Sequence, residues 1–170
     1  MLAPQETRTF FISTATWERR AILQSRPLCD LLLSVIRENR AKQRFQMHEF
    51  VFMREHVHLI FTPAPQIALE KAMQFIKGGF SFRAKKEQIF NGEIWQKGYN
   101  ENRIKDADRY AQYADYILMN PVNAGLVDRP EEYLHSSARL REEVDPPPLQ
   151  FMLKTPRLKP LLNARAVSPD

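Results

Sequence analysis

Residues 55–62 read Glu-His-Val-His-Leu-Ile-Phe-Thr, and side-chain alternation restricts this stretch more tightly than any other in the chain. Successive side chains of a β-strand point to opposite faces, so His56, His58 and Ile60 share one face and Val57, Leu59 and Phe61 the other. The second face is wholly apolar and suits a core. The first carries two imidazoles about 6–7 Å apart along the strand, a spacing that one metal ion can bridge. Two readings of that face follow: a metal site, or a half-buried strand whose histidines bond to water or backbone.

The totals set the frame. At 170 residues one domain with a real core is expected. Hydrophobic residues make up 44% and charged residues 26%, as in soluble globular proteins. The net charge of +5 and a pI near 9.5 are compatible with a polyanionic partner. One cysteine, Cys29, excludes an internal disulfide. No apolar run is long enough to span a membrane, and the N-terminal residues lack the basic-then-apolar order of a signal peptide. The expected location is therefore the cytoplasm.

In chain order, Thr9 to Trp17 is rich in aromatic and β-branched residues and predicts a strand. From Pro27 to about Gln43, Leu28, Leu31, Leu32, Val35 and Ile36 follow helical spacing. Phe45 to Met53 and His56 to Thr62 predict two strands joined by a tight turn at Arg54-Glu55. Ile67 to about Lys77 predicts a helix, which Gly78-Gly79 should break or open to a ligand. Glu93 to Tyr99 suits a short fourth strand. Asp106 to Met119 predicts a helix with Tyr110, Tyr113, Ala114 and Ile117 as its apolar stripe. Beside that stripe, Gln112, Tyr116 and Asn120 stack along one edge. Pro121 disfavours helical geometry at Asn120, so Asn120 is expected to cap a short following turn closed by Gly125.

This order is βαββαβ, an α+β, ferredoxin-like (RRM-like) antiparallel sheet with two helices on one face. The histidine face can then look away from those helices, and the C-terminal helix carrying Tyr116 can lie across it. Residues 1–140 form the expected domain, and residues 141–170, with Asp145-Pro-Pro-Pro148 and further prolines, a flexible basic tail. Lys77, Arg83, Lys85 and Lys86, interleaved with Phe80 and Phe82, suit a surface contacting phosphates and bases; a solvated face over two core phenylalanines fits equally.

Three segments then fall in a telling order: His56-Val-His-Leu-Ile-Phe61, Ile94-Trp-Gln-Lys-Gly-Tyr99, and Asp115-Tyr-Ile-Leu-Met-Asn-Pro-Val-Asn-Ala-Gly-Leu-Val127. Together they resemble the signature series of the REP-associated tyrosine transposases, single-strand HUH transposases with one catalytic tyrosine. Glu131 to Arg139 is similar to the family's segment after the tyrosine helix. The resemblance runs from Phe10 to Arg139, about three-quarters of the chain. It implies the same βαββαβ fold and a reaction that cuts and rejoins single-stranded DNA. By matching position, His56 and His58 fall on the metal pair, Tyr116 on the nucleophile, and Asn120 on a third metal ligand. Lys97, inside the second segment, joins Lys77, Phe80, Phe82, Arg83, Lys85 and Lys86 as candidate nucleic-acid contacts. Arg54 departs from the pattern, which usually has proline there.

The implied chemistry is a metal-dependent endonuclease and strand transferase acting at palindromic or hairpin repeats. Two imidazoles and an amide suit Mg²⁺ or Mn²⁺ in use. A phenol, with a pKa of about 10, needs activation before it attacks phosphorus, and no general base is evident. Attack leaves a 5′-phosphotyrosine and a free 3′-hydroxyl. The expected partner is single-stranded or hairpin DNA, bound by a monomer or homodimer associated with the nucleoid. The competing class is a binding module of the same fold that grips hairpin DNA or RNA without cutting it. Tyr110 and Tyr113 are rival nucleophiles, but both fit the buried stripe.

Overall fold

The computed structural model describes residues 7–152. Its centre is a four-stranded antiparallel sheet of β1 (Thr9–Ala15), β2 (Phe45–Phe52), β3 (His56–Pro63) and β4 (Asn100–Ile104), in the order β2-β3-β1-β4. Helix α1 (Arg26–Ala41) links β1 to β2, and α4 (Ala107–Asn123) follows β4. Between β3 and β4 runs one continuous helical rod: α2 (Leu69–Met73), a π-helical turn (Gln74–Gly78) and α3 (Gly79–Lys86). This is the expected ferredoxin-like α+β fold.

The sheet separates two cores. Val57, Leu59 and Phe61 of β3 pack with Leu32, Ile36, Ile76 and Phe80 under α1 and the α2–α3 rod. Phe11, Val51 and Ile60 pack with Tyr110, Ala114 and Ile117 under α4. Alternation along β3 therefore sends its apolar residues to one core and its histidines toward α4, as the sequence pattern requires.

Helix α1 begins where the Ser25 hydroxyl accepts the Leu28 N–H at 3.4 Å, with Pro27 in its first turn, a normal N-cap. The β2–β3 turn has two residues and no positive φ at Arg54 or Glu55. It is held from outside instead: the Arg54 carbonyl accepts from Leu23 N–H at 3.0 Å, and the Glu55 carbonyl accepts from both the N–H and hydroxyl of Thr16 at 2.8 and 3.0 Å. Those three bonds do the work of a stiff turn residue, so Arg54 in place of proline leaves the hairpin fixed.

Several expectations need correction. Gly78 and Gly79 do not break the helix; both lie in right-handed helical geometry. The fourth strand is not residues 93–99 but Asn100–Ile104, a polar edge strand with only Ile104 buried. Residues 94–96 pair with β1 only briefly, through the Trp17 N–H to Ile94 and the Gln96 N–H to Ala15, both at backbone carbonyls.

Asn120 is not a cap. Helix α4 runs through it and through Pro121, whose ring is buried. The helix closes a turn later, where Gly125 at φ +71° donates to Val122 O and Leu126 N–H donates to Pro121 O, a Schellman ending.

Residues 141–152, expected in a flexible tail, are fixed to the domain. Asp145 forms a two-pronged ion pair with Arg40 at 2.9 and 3.0 Å, and its carboxylate accepts the Met47 N–H. Together with residues 133–137, whose backbone pairs with Phe50 and Phe52, this segment covers the outer edge of β2. Residues 153–170, the rest of the expected tail, lie outside the described residues.

Candidate active site

His56 and His58 project from β3 toward α4 with ring centroids 4.7 Å apart. Their surroundings differ. His56 is half-buried, and its Nδ1 lies 3.1 Å from the Glu55 carboxylate, a contact that orients the ring. His58 is only 5% exposed, and neither of its ring nitrogens meets a hydrogen-bond partner among the described residues. Burial pushes the His58 pKa down to about 3, with the neighbouring His56 adding to the shift. The imidazole is therefore neutral at ordinary pH, and its lone pair is unused.

A buried side chain with two orphaned nitrogens is costly, and a neutral imidazole is the form that binds metal. The donor set fits a divalent ion. Among the described residues no three His, Cys, Asp or Glu side chains gather at one point, so the pair would need an amide or a substrate oxygen to complete it.

Helix α4 supplies the rest of the site. Tyr110 packs its ring edge near His48, Tyr113 stacks flat on Phe11 at 4.4 Å, and Tyr116 meets His58 edge-on at 5.2 Å. Asn120 lies one helical turn beyond Tyr116 on α4 and is half-buried. Tyr116 is 49% exposed, whereas Tyr110 is 2% exposed. Of the three candidate tyrosines, only Tyr116 combines exposure with contact to a site histidine. Tyr110 and Tyr113 serve the smaller core.

Beside Tyr116 a groove of about 670 Å³ opens between β4 and α4. Asn100, Asn102, Ser13, Gln112 and Tyr113 line it. Ser13, Asn100 and Asn102 were not singled out from sequence. Alternation within β4 was the available signal, hidden because that strand had been assigned to the preceding segment.

The candidate nucleic-acid surface divides on inspection. Phe80 is fully buried in the larger core and is unavailable for stacking on a base. Lys77 donates to the carbonyls of Gln96 and Gly98 at 3.1 and 2.6 Å, and burial lowers its pKa; it braces a loop. Arg83 is committed to Glu38 and Glu87 at 2.8 and 3.0 Å. Phe82, Lys85 and Lys86 are exposed, but α3 packs on the sheet face opposite His58. Lys97 is exposed and lines a second groove that shares Ser13 and Asn100 with the first.

Comparison with known proteins follows the same line. Residues 10–120 match the family model described as "Transposase IS200 like". A "REP-associated tyrosine transposase" of Escherichia coli (strain K12) is 26% identical over 140 residues, covering 78% of this chain and 81% of that protein. The solved structure of a REP-associated tyrosine transposase bound to a REP hairpin superposes with a TM-score of 0.69 at 22% identity, covering 86% of this chain and 87% of that one. A second solved structure, described as that of a transposase from Deinococcus radiodurans, gives a TM-score of 0.51 at 20% identity, over 69% of this chain and 95% of its own.

Proposed function

This chain belongs to the IS200-like transposase family, and from that premise we propose that it nicks and rejoins single-stranded DNA at hairpin repeats, using Tyr116 as nucleophile. The observation that carries the reading is the half-exposed Tyr116 phenol ring set against the buried, unpartnered imidazole of His58. A structural tyrosine has no need of that neighbour. A structural histidine would have been given a hydrogen bond.

In the proposed reaction the Tyr116 oxygen attacks a backbone phosphorus and forms a P–O bond as the bond to the 3′-oxygen breaks. The phenol proton is released, and the departing 3′-oxygen takes up a proton. The DNA then carries a free 3′-hydroxyl, and its 5′-phosphate is esterified to Tyr116. Because the ester retains the bond energy, attack by another 3′-hydroxyl restores a strand without ATP. His56 and His58, with Asn120 as a third donor, would hold a Mg²⁺ or Mn²⁺ ion, which would supply positive charge to offset the charge developing on the phosphate. Glu55 fixes the His56 ring for that purpose. The partner is hairpin DNA, as for the structural relative solved with a REP hairpin.

The test replaces Tyr116 with Phe, which deletes one oxygen and keeps the ring contacts. Metal and DNA binding should survive, and cleavage of a labelled hairpin with Mn²⁺ should stop. The wild type should yield a protein–DNA adduct mapping to Tyr116. An adduct at another tyrosine, or cleavage undiminished in the variant, overturns the assignment. A wild type that binds hairpins and never cuts them would support the binding-module reading.

A further inference from the structure

The outer face of the α2–α3 rod carries a pattern that the nuclease reading leaves unused. Its inner face buries Met73, Ile76 and Phe80 in the larger core. On the outer face Lys71, Phe75, Gly79, Phe82 and Lys86 follow at three- and four-residue intervals and line a groove of about 600 Å³ against α1. That spacing is one stripe of a helix. Phe82 is 66% exposed on it, a large apolar ring left open to water. Gly78 and Gly79 lie on the same groove. Gly79 is accounted for by α1, because a Cβ there would already touch Val35 Cγ1 at 3.5 Å. Gly78 is not. It is exposed and right-handed helical, and a Cβ would meet only Gln74 of its own helix, at 3.7 Å. Neither conformation nor packing within the chain calls for glycine there, and glycine is the poorest helix former after proline. Bare backbone at the floor of a groove leaves room for a group that presses in. The rod is also π-helical up to this point, a departure frequent at functional sites.

Charge along the groove is uneven. Lys42, Arg44 and Lys71 line its Phe75 end, with the Arg44 guanidinium 3.9 Å over the Phe75 ring and Lys71 Nζ 5.2 Å from it. The two carboxylates of the lining belong to the Phe82 end, where Glu38 and Glu87 hold Arg83 at 2.8 and 3.0 Å. Lys86 lies there too, 5.8 Å from the Phe82 ring. The Phe75 end is therefore positive, and the Phe82 end is apolar with its charges balanced. A nucleic-acid strand carries negative charge along its whole length and would meet Glu38 and Glu87 as it ran on past Phe75. A helix that is acidic at one end and apolar along the rest meets a matching surface throughout. From Lys71 to Lys86 the rod measures about 22 Å, or roughly four helical turns.

We infer that this groove docks a helix of a partner protein, an amphipathic segment of about four turns. Its Leu- or Phe-type residues seat over Gly78 and against Phe82, and its Asp or Glu residues face Lys42, Arg44 and Lys71. The site is independent of the nuclease reading. α1 and the rod cover the sheet face opposite His58 and Tyr116, so a partner held here leaves the histidine face open. Phe82 is the anchor, since an exposed aromatic ring at the middle of a contact contributes most when it is covered.

The experiment selects binders to the full chain from a displayed library of helical peptides of about 16 residues with randomised surfaces. Enriched sequences should carry apolar residues at helical spacing toward one end and Asp or Glu toward the other. A fluorescein-labelled synthetic copy of the most enriched sequence should bind one-to-one by anisotropy. Phe82→Ala should weaken it at least about 10-fold. Lys71→Glu should weaken it too, more at low salt than at high. Gly78→Leu separates docking from folding: it should raise Tm, because leucine is the better helix former, and abolish peptide binding, because the floor is filled. Enrichment without the acidic-to-apolar pattern, an affinity that survives both Phe82→Ala and Gly78→Leu, or a Tm that falls in Gly78→Leu overturns the inference. A single-stranded oligonucleotide that displaces the peptide and itself loses affinity on Phe82→Ala would make the groove a nucleic-acid surface, and overturns it equally.

Discussion

His58 sets up a measurable conflict between stability and function. The ring is buried with both nitrogens unpartnered, and its pKa falls from 6.5 to about 3 on folding. As pH drops below 6.5, the unfolded chain takes up a proton that the folded chain refuses, so stability is lost on the acid side. At pH 5 the folded ring is still neutral, and the loss relative to pH 7.5 is roughly 2 kcal/mol. For a domain of this size that corresponds to about 4–8 °C in Tm. His48, whose pKa burial also lowers, acts in the same direction, so the wild type alone does not isolate His58. His58→Phe does: it keeps a ring against Phe11 and Tyr116 and removes both the titration and the orphaned nitrogens. At pH 7.5 the variant should be at least as stable as the wild type, with a gain of up to about 1–3 kcal/mol from the polar groups no longer buried unpaired. At pH 5 the gap should widen by roughly 2 kcal/mol. Urea unfolding in the presence of a chelator measures both values. Parallel pH profiles for the two proteins would show that His58 already has a partner, and would remove the main structural argument for a metal there.

Two further outcomes follow from the site and its surroundings. Glu55→Ala should reduce Mn²⁺ affinity about 10- to 100-fold by releasing the His56 ring; its fold should persist, because the backbone carbonyl, not the carboxylate, anchors the turn to Thr16. Isothermal calorimetry against the unchanged melting curve reads this directly. Charge reversal at Lys97, exposed beside Asn100, should flatten the salt dependence of hairpin binding by roughly 0.7–0.9 per lost phosphate contact, whereas Lys77→Met should lower Tm and leave that slope alone, since its amine is spent on Gln96 and Gly98.

What the sequence made legible was whatever alternation or helical spacing encodes. The two faces of β3, the stripe of α4 and the edge position of Tyr116 were all readable because burial imposes a period on the residue types. The failures have one common form: a local preference overruled by tertiary contact. Pro121 argued for ending α4 at Met119, yet its ring is buried and the helix runs on to a glycine that can take positive φ. Asn100–Ile104 is too polar to look like a strand, because an edge strand with one exposed face needs little apolar content. Phe80 looked free because its neighbours are basic, but helical spacing turns it inward while Phe82 stays out. The commitments of Lys77 and Arg83 depend on residues distant in sequence, and no local pattern announces them.

The division of labour between the sheet's faces explains how the site's defects are tolerated. The face under α1 and the α2–α3 rod holds most of the large fully buried side chains, among them Phe50, Phe52, Phe61 and Phe80. The α4 face is poorer in apolar residues and carries the orphaned His58, the half-exposed Tyr116 and a fully buried Glu49 that needs Ser137 and Arg141 to satisfy it. The orphaned His58 costs stability where it stands, and Glu49 would do so without its two partners. A single strand, β3, bears both kinds of residue in alternation, so the apolar half of the strand fixes the height and register of the histidine half. Slippage by one residue would turn Val57, Leu59 and Phe61 toward α4 and send the imidazoles into the larger core under α1. The strand that folds the domain therefore also sets the position of its histidines, and substitutions at Leu59 or Phe61 should disturb metal affinity without touching a ligand.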